Sequence, residues 1–130
     1  ARLSGRVPTI GIAAGRCFAG NAALLGCCDL IIATRGSNIG MGGPAMVEGA
    51  GLGRYAPEDI GPASLQHANG VIDILVENEA QAVAAARQCL AMFQGVTQAG
   101  DPPEGALLRE VLPDSRVRSY DSRPVVLGLA

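Results

Sequence analysis

Short, unbroken apolar runs alternate along this chain with glycine-rich turns and with stretches of helical spacing. Residues 7–14 are β-rich and closed by Gly15, which predicts a buried strand. Residues 22–28 are apolar nearly all round and predict a short buried helix, its N-terminus at Gly20-Asn21. Residues 29–34 predict a second buried strand, Gly36 and Ser37 a turn, and residues 38–41 a weaker extended segment. Gly42-Gly43-Pro44 opens another helix, with proline at the first position, where its missing N–H leaves no bond unmade.

Residues 55–60 read as a short acidic helix start that Gly61-Pro62 ends, and residues 65–69 as a loop. Residues 71–76 predict a third strand. The clearest helix covers residues 79–94, with Asn78 and Gln81 in a capping-box pattern and Gly95 as its stop. Val83, Ala86, Leu90 and Phe93 fall on one face at helical spacing. Beyond it, residues 98–103 read as a loop, 106–111 as one or two helical turns, 114–123 as polar and turn-like, and 125–130 as apolar again. Strands alternating with helices place the chain in the α/β class. An apolar segment with no cap or polar tail at the end is the pattern expected of part of a longer chain.

The 130 residues suffice for one domain with a core, and 48% apolar against 17% charged residues marks a globular chain. The net charge is −2, with all ten positive charges on arginine, so no basic face is expected for nucleic acid. Two Tyr, two Phe and no Trp leave no stacking platform for single strands. No apolar run approaches the roughly 20 residues of a membrane span, and the start lacks a signal-peptide pattern. Cys17, Cys27, Cys28 and Cys89 suit neither a zinc knuckle nor a disulfide framework and read as buried free thiols in a reducing compartment.

Side chains offer little chemistry. His67 is the only histidine, and no Gly-x-Ser-x-Gly turn accompanies it, so a structural role is expected and no metal-ligand set is visible. The glycines fit neither phosphate-binding motif, and the chain has no lysine. A strand, a glycine turn and a helix start at Ala19-Gly20-Asn21-Ala22 would leave backbone N–H groups unpaired and pointing outward. Two such groups aimed at one point make an oxyanion hole, able to hold a thioester oxygen as it becomes an enolate. The same glycines could instead serve packing at a tight strand–helix junction.

Gly15-Arg-Cys-Phe-Ala-Gly-Asn-Ala22 resembles the oxyanion segment in the carboxyltransferase component of biotin-dependent acyl-CoA carboxylases, such as the acetyl-, propionyl- and methylcrotonyl-CoA carboxylase β-subunits. Met41-Gly-Gly-Pro-Ala-Met-Val-Glu48 resembles the Gly-Pro helix start that follows it in that family. Glu58-Asp-Ile-Gly61, Asn69-Gly-Val-Ile-Asp73, Glu77-Asn-Glu-Ala80 and Tyr120-Asp-Ser-Arg123 continue the family order.

The resemblance implies a crotonase-like (ClpP/crotonase) superhelix of ββα units, here partial. Residues 1–130 would be the later part of a carboxyltransferase N-terminal half, with a core at about 7–95 and an extension at about 96–130. It implies transfer of a carboxyl group from carboxybiotin to the α-carbon of an acyl-CoA, biotin itself acting as base. The N–H groups of Gly20, Asn21 and Ala22 would be the oxyanion hole, and Ala19, Gly42 and Gly43 would line the substrate. Biotin on a separate carrier, the biotin carboxylase, the C-terminal half of a neighbouring subunit, homo-oligomeric assembly and a cytoplasmic location follow from the same resemblance, as does inactivity of the fragment alone.

Two departures stand out. Asn21 replaces the family's more frequent glycine, which would matter if φ were positive there, and Gln66 falls where the family commonly has histidine. Another crotonase-fold acyl-CoA enzyme (decarboxylase, hydratase or isomerase), with Glu48 and Glu58 as acid/base candidates, and a non-catalytic acyl-CoA-binding or assembly module are the alternatives.

Overall fold

A computed structural model describes residues 2–95, 108–115 and 117–128. It divides into two units, Ala1–Gly95 and Val96–Ala130. The first unit begins with β1 (Ile10–Ala13), β2 (Arg16–Phe18) and α1 (Gly20–Leu25). It continues with β3 (Leu30–Thr34), β4 (Asn38–Gly40) and α2 (Pro44–Gly49), then a single 3-10 turn at Pro57–Asp59. It closes with α3 (Ala63–Ala68), β5 (Ile74–Val76) and α4 (Glu79–Ala91).

Two parallel sheets result. β1, β3 and β5 lie side by side in the order β1-β3-β5, with Ile10 opposite Leu30 and Ile32 opposite Ile74. β2 and β4 form the second sheet, with Arg16 opposite Asn38 and Phe18 opposite Gly40. The first strand of each pair thus enters one sheet and the second enters the other, a helix following each pair. β3 behaves as a parallel strand covered on both faces does, whereas Ile12 of β1 is exposed and β5 is half-buried. Ile32, Ala33 and Ala82 are wholly buried, and Ala13, Ala22, Leu25, Ile31, Ile39, Ala63 and Ile72 complete the core.

Several expectations need correction. β1 starts three residues later than its apolar run because Pro8 has no N–H to give a ladder. Thr9 instead fastens to Asp29: its N–H and hydroxyl donate to Asp29 Oδ2 at 2.8 and 2.6 Å. The turn expected after Gly15 contains β2. The segment 65–69, read as a loop, lies mostly in α3, a helix anchored by the buried Ala63. Strand β5 is half as long as its run, since the N–H groups of Val71 and Ile72 both go to the Gln66 carbonyl. Only Ala22 and Leu25 of α1 are buried, and Leu24 is 72% exposed.

Helix α4 is capped as expected, Asn78 Oδ1 accepting from the Gln81 N–H at 3.0 Å. Gln81 Oε1 returns a bond to the N–H of Glu77, one residue before the cap. The buried face is centred on Ala82; Val83 and Phe93 are 46% and 64% exposed. Small alanines let this helix lie close against β3 and β5.

In the second unit, α5 (Leu108–Val111) and α6 (Arg123–Leu127) pack on each other. Arg123 grips Asp121 through both Nε and Nη2, and that pairing holds the carboxyl below its ordinary range. The loop expected over 98–103 lies outside the described residues, as do the ends of the segments expected over 106–111 and 125–130.

Candidate functional site

β2 and β4 run in the same direction, so their carboxyl ends open on one edge. In α/β structures, ligands bind beyond such ends. Ala19 follows β2 and Met41-Gly42-Gly43 follows β4, which brings the two sequence-predicted segments together. The Ala19 N–H donates to the Gly40 carbonyl at 3.0 Å. A side chain on Gly43 would touch the Phe18 ring at 3.5 Å, and one on Gly42 would touch Met46 at 3.4 Å. Gly43 is the cap of α2, with Pro44 in the first turn as expected.

Ala19 carries the sharpest bend. Its φ of 53° and ψ of −121° make it the one non-glycine residue with positive φ among the described residues. Such a conformation costs on the order of 1–3 kcal/mol and persists where the surroundings enforce it. Here two bonds hold it, the one to Gly40 and one from the Ala23 N–H to the Ala19 carbonyl at 3.0 Å. The bend turns a strand into a helix within one residue.

Helix α1 therefore starts at Gly20 with no side-chain cap. The N–H groups of Gly20, Asn21 and Ala22 have no intrahelical acceptor by position. None of the described residues accepts from them either. Space in front of Gly20 is open: nothing lies within 4 Å of where a Cβ would stand. Asn21 sits in the first helical turn and is exposed, so the positive φ considered for it falls on Ala19 instead.

A polar scaffold behind the bend was not expected from the sequence. Ser37 is 1% exposed. Its Oγ accepts from the Gly15 N–H at 3.0 Å, donates to the Ala13 carbonyl at 2.9 Å and pairs with Thr34 Oγ1 at 2.8 Å. It therefore ties the β1–β2 turn to the β3–β4 turn. Asn38 Nδ2 donates to the carbonyls of Glu58 and Ile60 at 2.9 and 3.1 Å, drawing residues 58–61 onto β4. Gln66 Nε2 donates to the Ile39 carbonyl at 2.6 Å. The signal available in the sequence was the polar Ser37-Asn38 pair between the apolar run at 30–33 and Ile39.

The titratable candidates are engaged elsewhere. His67 stands on α3, where Nδ1 pairs with the Ile72 carbonyl at 2.9 Å, a structural role. Glu48 accepts from Arg54 Nε at 2.5 Å, and Glu58 is paired with Arg16. A bond from its own backbone N–H and the Arg16 guanidinium hold Glu58 below the usual carboxylate range. Glu58 is thus not poised as a general acid, and Glu48 is engaged by Arg54. All four cysteines are free, but the expected burial is wrong for Cys27, which is exposed; the others are half-buried, and burial pushes the Cys17 thiol up. Among the described residues no group of three or more His, Cys, Asp or Glu is placed to hold a metal. No helix among them is long and apolar enough to cross a membrane. An open groove of about 440 Å³, lined by Gly5, Arg6, Val7, Pro8, Asp29 and Phe93, lies at the amino ends of β1 and β3, not at the amide cluster.

Comparison with known proteins agrees with the fold. A family model described as the carboxyl transferase domain matches residues 1–130. A single-chain, multi-domain long-chain acyl-CoA carboxylase is 50% identical, with a TM-score of 0.74 over 98% of this chain and 13% of its own. The transcarboxylase 12S hexamer, solved with hydrolysed methylmalonyl-CoA, is 25% identical, with a TM-score of 0.73 over 96% of this chain and 26% of its own. The β subunit of geranyl-CoA carboxylase from P. aeruginosa is 26% identical, with a TM-score of 0.60 over 97% and 25%. The chain thus spans about a quarter or less of these solved relatives. No curated protein matches. The fold is crotonase-like, as these neighbours are. By the match across its whole length and the 50% identity, the chain belongs to the carboxyl transferase domain family.

Proposed function

We propose that this domain forms the acyl-CoA side of a carboxyl-transfer site. The carrying observation is the run of N–H groups at Gly20, Asn21 and Ala22 with no acceptor among the described residues, at a strained strand-to-helix bend with open space beside Gly20. An acyl thioester oxygen would accept from two of them. When the α-carbon loses its proton, the electron pair moves onto that oxygen, and fixed donors bind it more tightly than the neutral carbonyl. The α-carbon then attacks the incoming carboxyl group. Ala19, Gly42 and Gly43 would border the acyl group, their small size leaving the backbone accessible.

Biotin on a separate carrier would, when bound, supply the carboxyl group and, in giving it up, the base that takes the α-proton. The amide run offers donors to a thioester on this reading, and among the described residues no buried polar side chain is left unpartnered for biotin. Its site, on this reading, belongs to the C-terminal half of a neighbouring subunit, with residues 1–130 as the later part of an N-terminal half. A biotin carboxylase, a homo-oligomer and a cytoplasmic setting complete the proposal, and the domain alone should not turn over. The ion-paired Glu48 and Glu58 give no support to a hydratase, and the helical backbone at Asn21 removes the reason to read lost catalysis there.

The test is Asn21→Pro in the full-length protein that carries this domain. Proline is tolerated in a first helical turn and deletes one N–H. Loss of one oxyanion donor should lower kcat about 10²–10³-fold, while Asn21→Ala should retain activity. Equal activity of the two variants would overturn the amide assignment.

A further inference from the structure

We infer that Gln66 is a positioning residue for the amide cluster, its side-chain amide completing the outer edge of β4 beside the short bridge made by residues 61–63. The inference rests on the acyl-CoA reading above for its catalytic consequence, though not for its structural one.

β4 is bonded to β2 along one edge only. On that edge the Asn38 N–H donates to the Gly15 carbonyl at 3.1 Å, and the Gly40 carbonyl accepts from Ala19 at 3.0 Å. Ile39 turns both its polar groups the other way, as alternate residues of a strand do. Its N–H donates to the Gly61 carbonyl at 2.8 Å, and its carbonyl accepts from Gln66 Nε2 at 2.6 Å. A strand edge left without partners would be loose.

The Ile39 carbonyl belongs to the same planar peptide unit as the Gly40 nitrogen. Fixing that carbonyl fixes the plane that enters Gly40, whose own carbonyl, one φ/ψ pair further along, holds Ala19 at its strained φ. The line of constraint therefore runs from Gln66 through the Ile39–Gly40 peptide to Ala19, and from Ala19 to the N–H groups of Gly20, Asn21 and Ala22. Gln66 is itself anchored: it is half-buried on α3, and its backbone carbonyl accepts from Val71 and Ile72 at 2.8 and 3.3 Å. The approach is tight, since a Cβ on Gly61 would stand 3.0 Å from Gln66 Nε2 and 1.9 Å from the Ile39 oxygen.

Two near-isosteric variants separate hydrogen bonding from packing. Gln66→Met keeps the length and loses the donor; Gln66→Glu keeps the shape and sets an acceptor against a carbonyl. Hydrogen–deuterium exchange on the full-length protein should show residues 18–22 and 38–41 exchanging about tenfold faster in Gln66→Met, the scale of one lost hydrogen bond, and faster still in Gln66→Glu. Residues 30–34 should be unchanged. Steady-state carboxylation by the same variants should lose kcat by about tenfold or more with the KM for acyl-CoA nearly constant. Unchanged exchange in both segments would overturn the role of Gln66, as would faster exchange with kcat intact. If the wild-type protein carboxylates no acyl-CoA, the acyl-CoA reading falls, and the exchange measurement alone decides the role of Gln66.

Discussion

Replacing Gly61 by alanine should be far more damaging than replacing Gly70, although both glycines have positive φ, 56° and 78°. Alanine in that region costs about 1–2 kcal/mol at either position. At Gly70 nothing lies within 4 Å of the new methyl group, so the cost stops there. At Gly61 the methyl would stand 1.9 Å from the Ile39 carbonyl oxygen and 2.8 Å from its carbon. Both are backbone atoms of a strand and cannot swing aside, so the 58–62 segment must retreat by more than an ångström. That retreat breaks the Ile39 N–H bond to Gly61 and strains the Gln66 bond to Ile39. Each is worth about 1 kcal/mol net, and more where a buried group is left unpaired. Gly61→Ala should therefore lose about 3–5 kcal/mol in all, against about 1–2 for Gly70→Ala. For a unit of this size each kcal/mol moves Tm by about 4–8 °C. Thermal unfolding followed by circular dichroism should place Gly61→Ala at least about 8 °C below Gly70→Ala. Melting of the two variants within about 3 °C of each other would refute the close approach at Ile39, and with it the anchoring of β4 by the 58–62 segment.

Ser37→Ala should cost about 2–4 kcal/mol, because the Gly15 N–H and the Ala13 carbonyl both lose a buried partner; a urea-unfolding midpoint unchanged from wild type would contradict the scaffold role of that hydroxyl. The Asp29 carboxyl is held below its ordinary value of 3.8, first by the Thr9 hydroxyl and then by the Thr9 N–H. A depressed folded value means that the bond stabilises above the unfolded value and that this is lost as pH falls through the folded one. Thr9→Val should thus melt below wild type at pH 6, and the gap should close as pH drops below 3.8; a gap constant from pH 6 into strong acid would show that Asp29 is not the partner that matters.

β3 was legible because a parallel strand covered on both faces reads as one apolar run, so Ile31, Ile32 and Ala33 needed no alternation to be recognised as a strand. β2 was not, since three residues between Gly15 and Ala19 carry too little pattern, and its existence depends on pairing with β4 across the chain. On α4, Ala86 and Leu90 do face inward beside Ala82, but Val83 and Phe93 were misplaced for a physical reason. Close helix-to-sheet packing selects the small Ala82, whereas a hydrophobic pattern gives weight to Val83 and Phe93. At the site, the helix start at Gly20-Asn21 was readable from residue types, but the strain was not, because an alanine at φ 53° leaves no mark in the sequence. The bonds from Asn38 to the Glu58 carbonyl and from Gln66 to Ile39 join residues 20 and 27 positions apart, and only the tertiary fold brings them together.

The central claim, acyl-CoA carboxylation through backbone amides, is tested most directly by uptake of labelled bicarbonate in the full-length protein. The assay supplies biotin carboxylase, biotinylated carrier, ATP and a panel of acyl-CoAs from two carbons upward. The account predicts label in an acyl-CoA product that depends on both the carrier and the acyl-CoA. No label in any acyl-CoA, with the carrier demonstrably carboxylated, would contradict it.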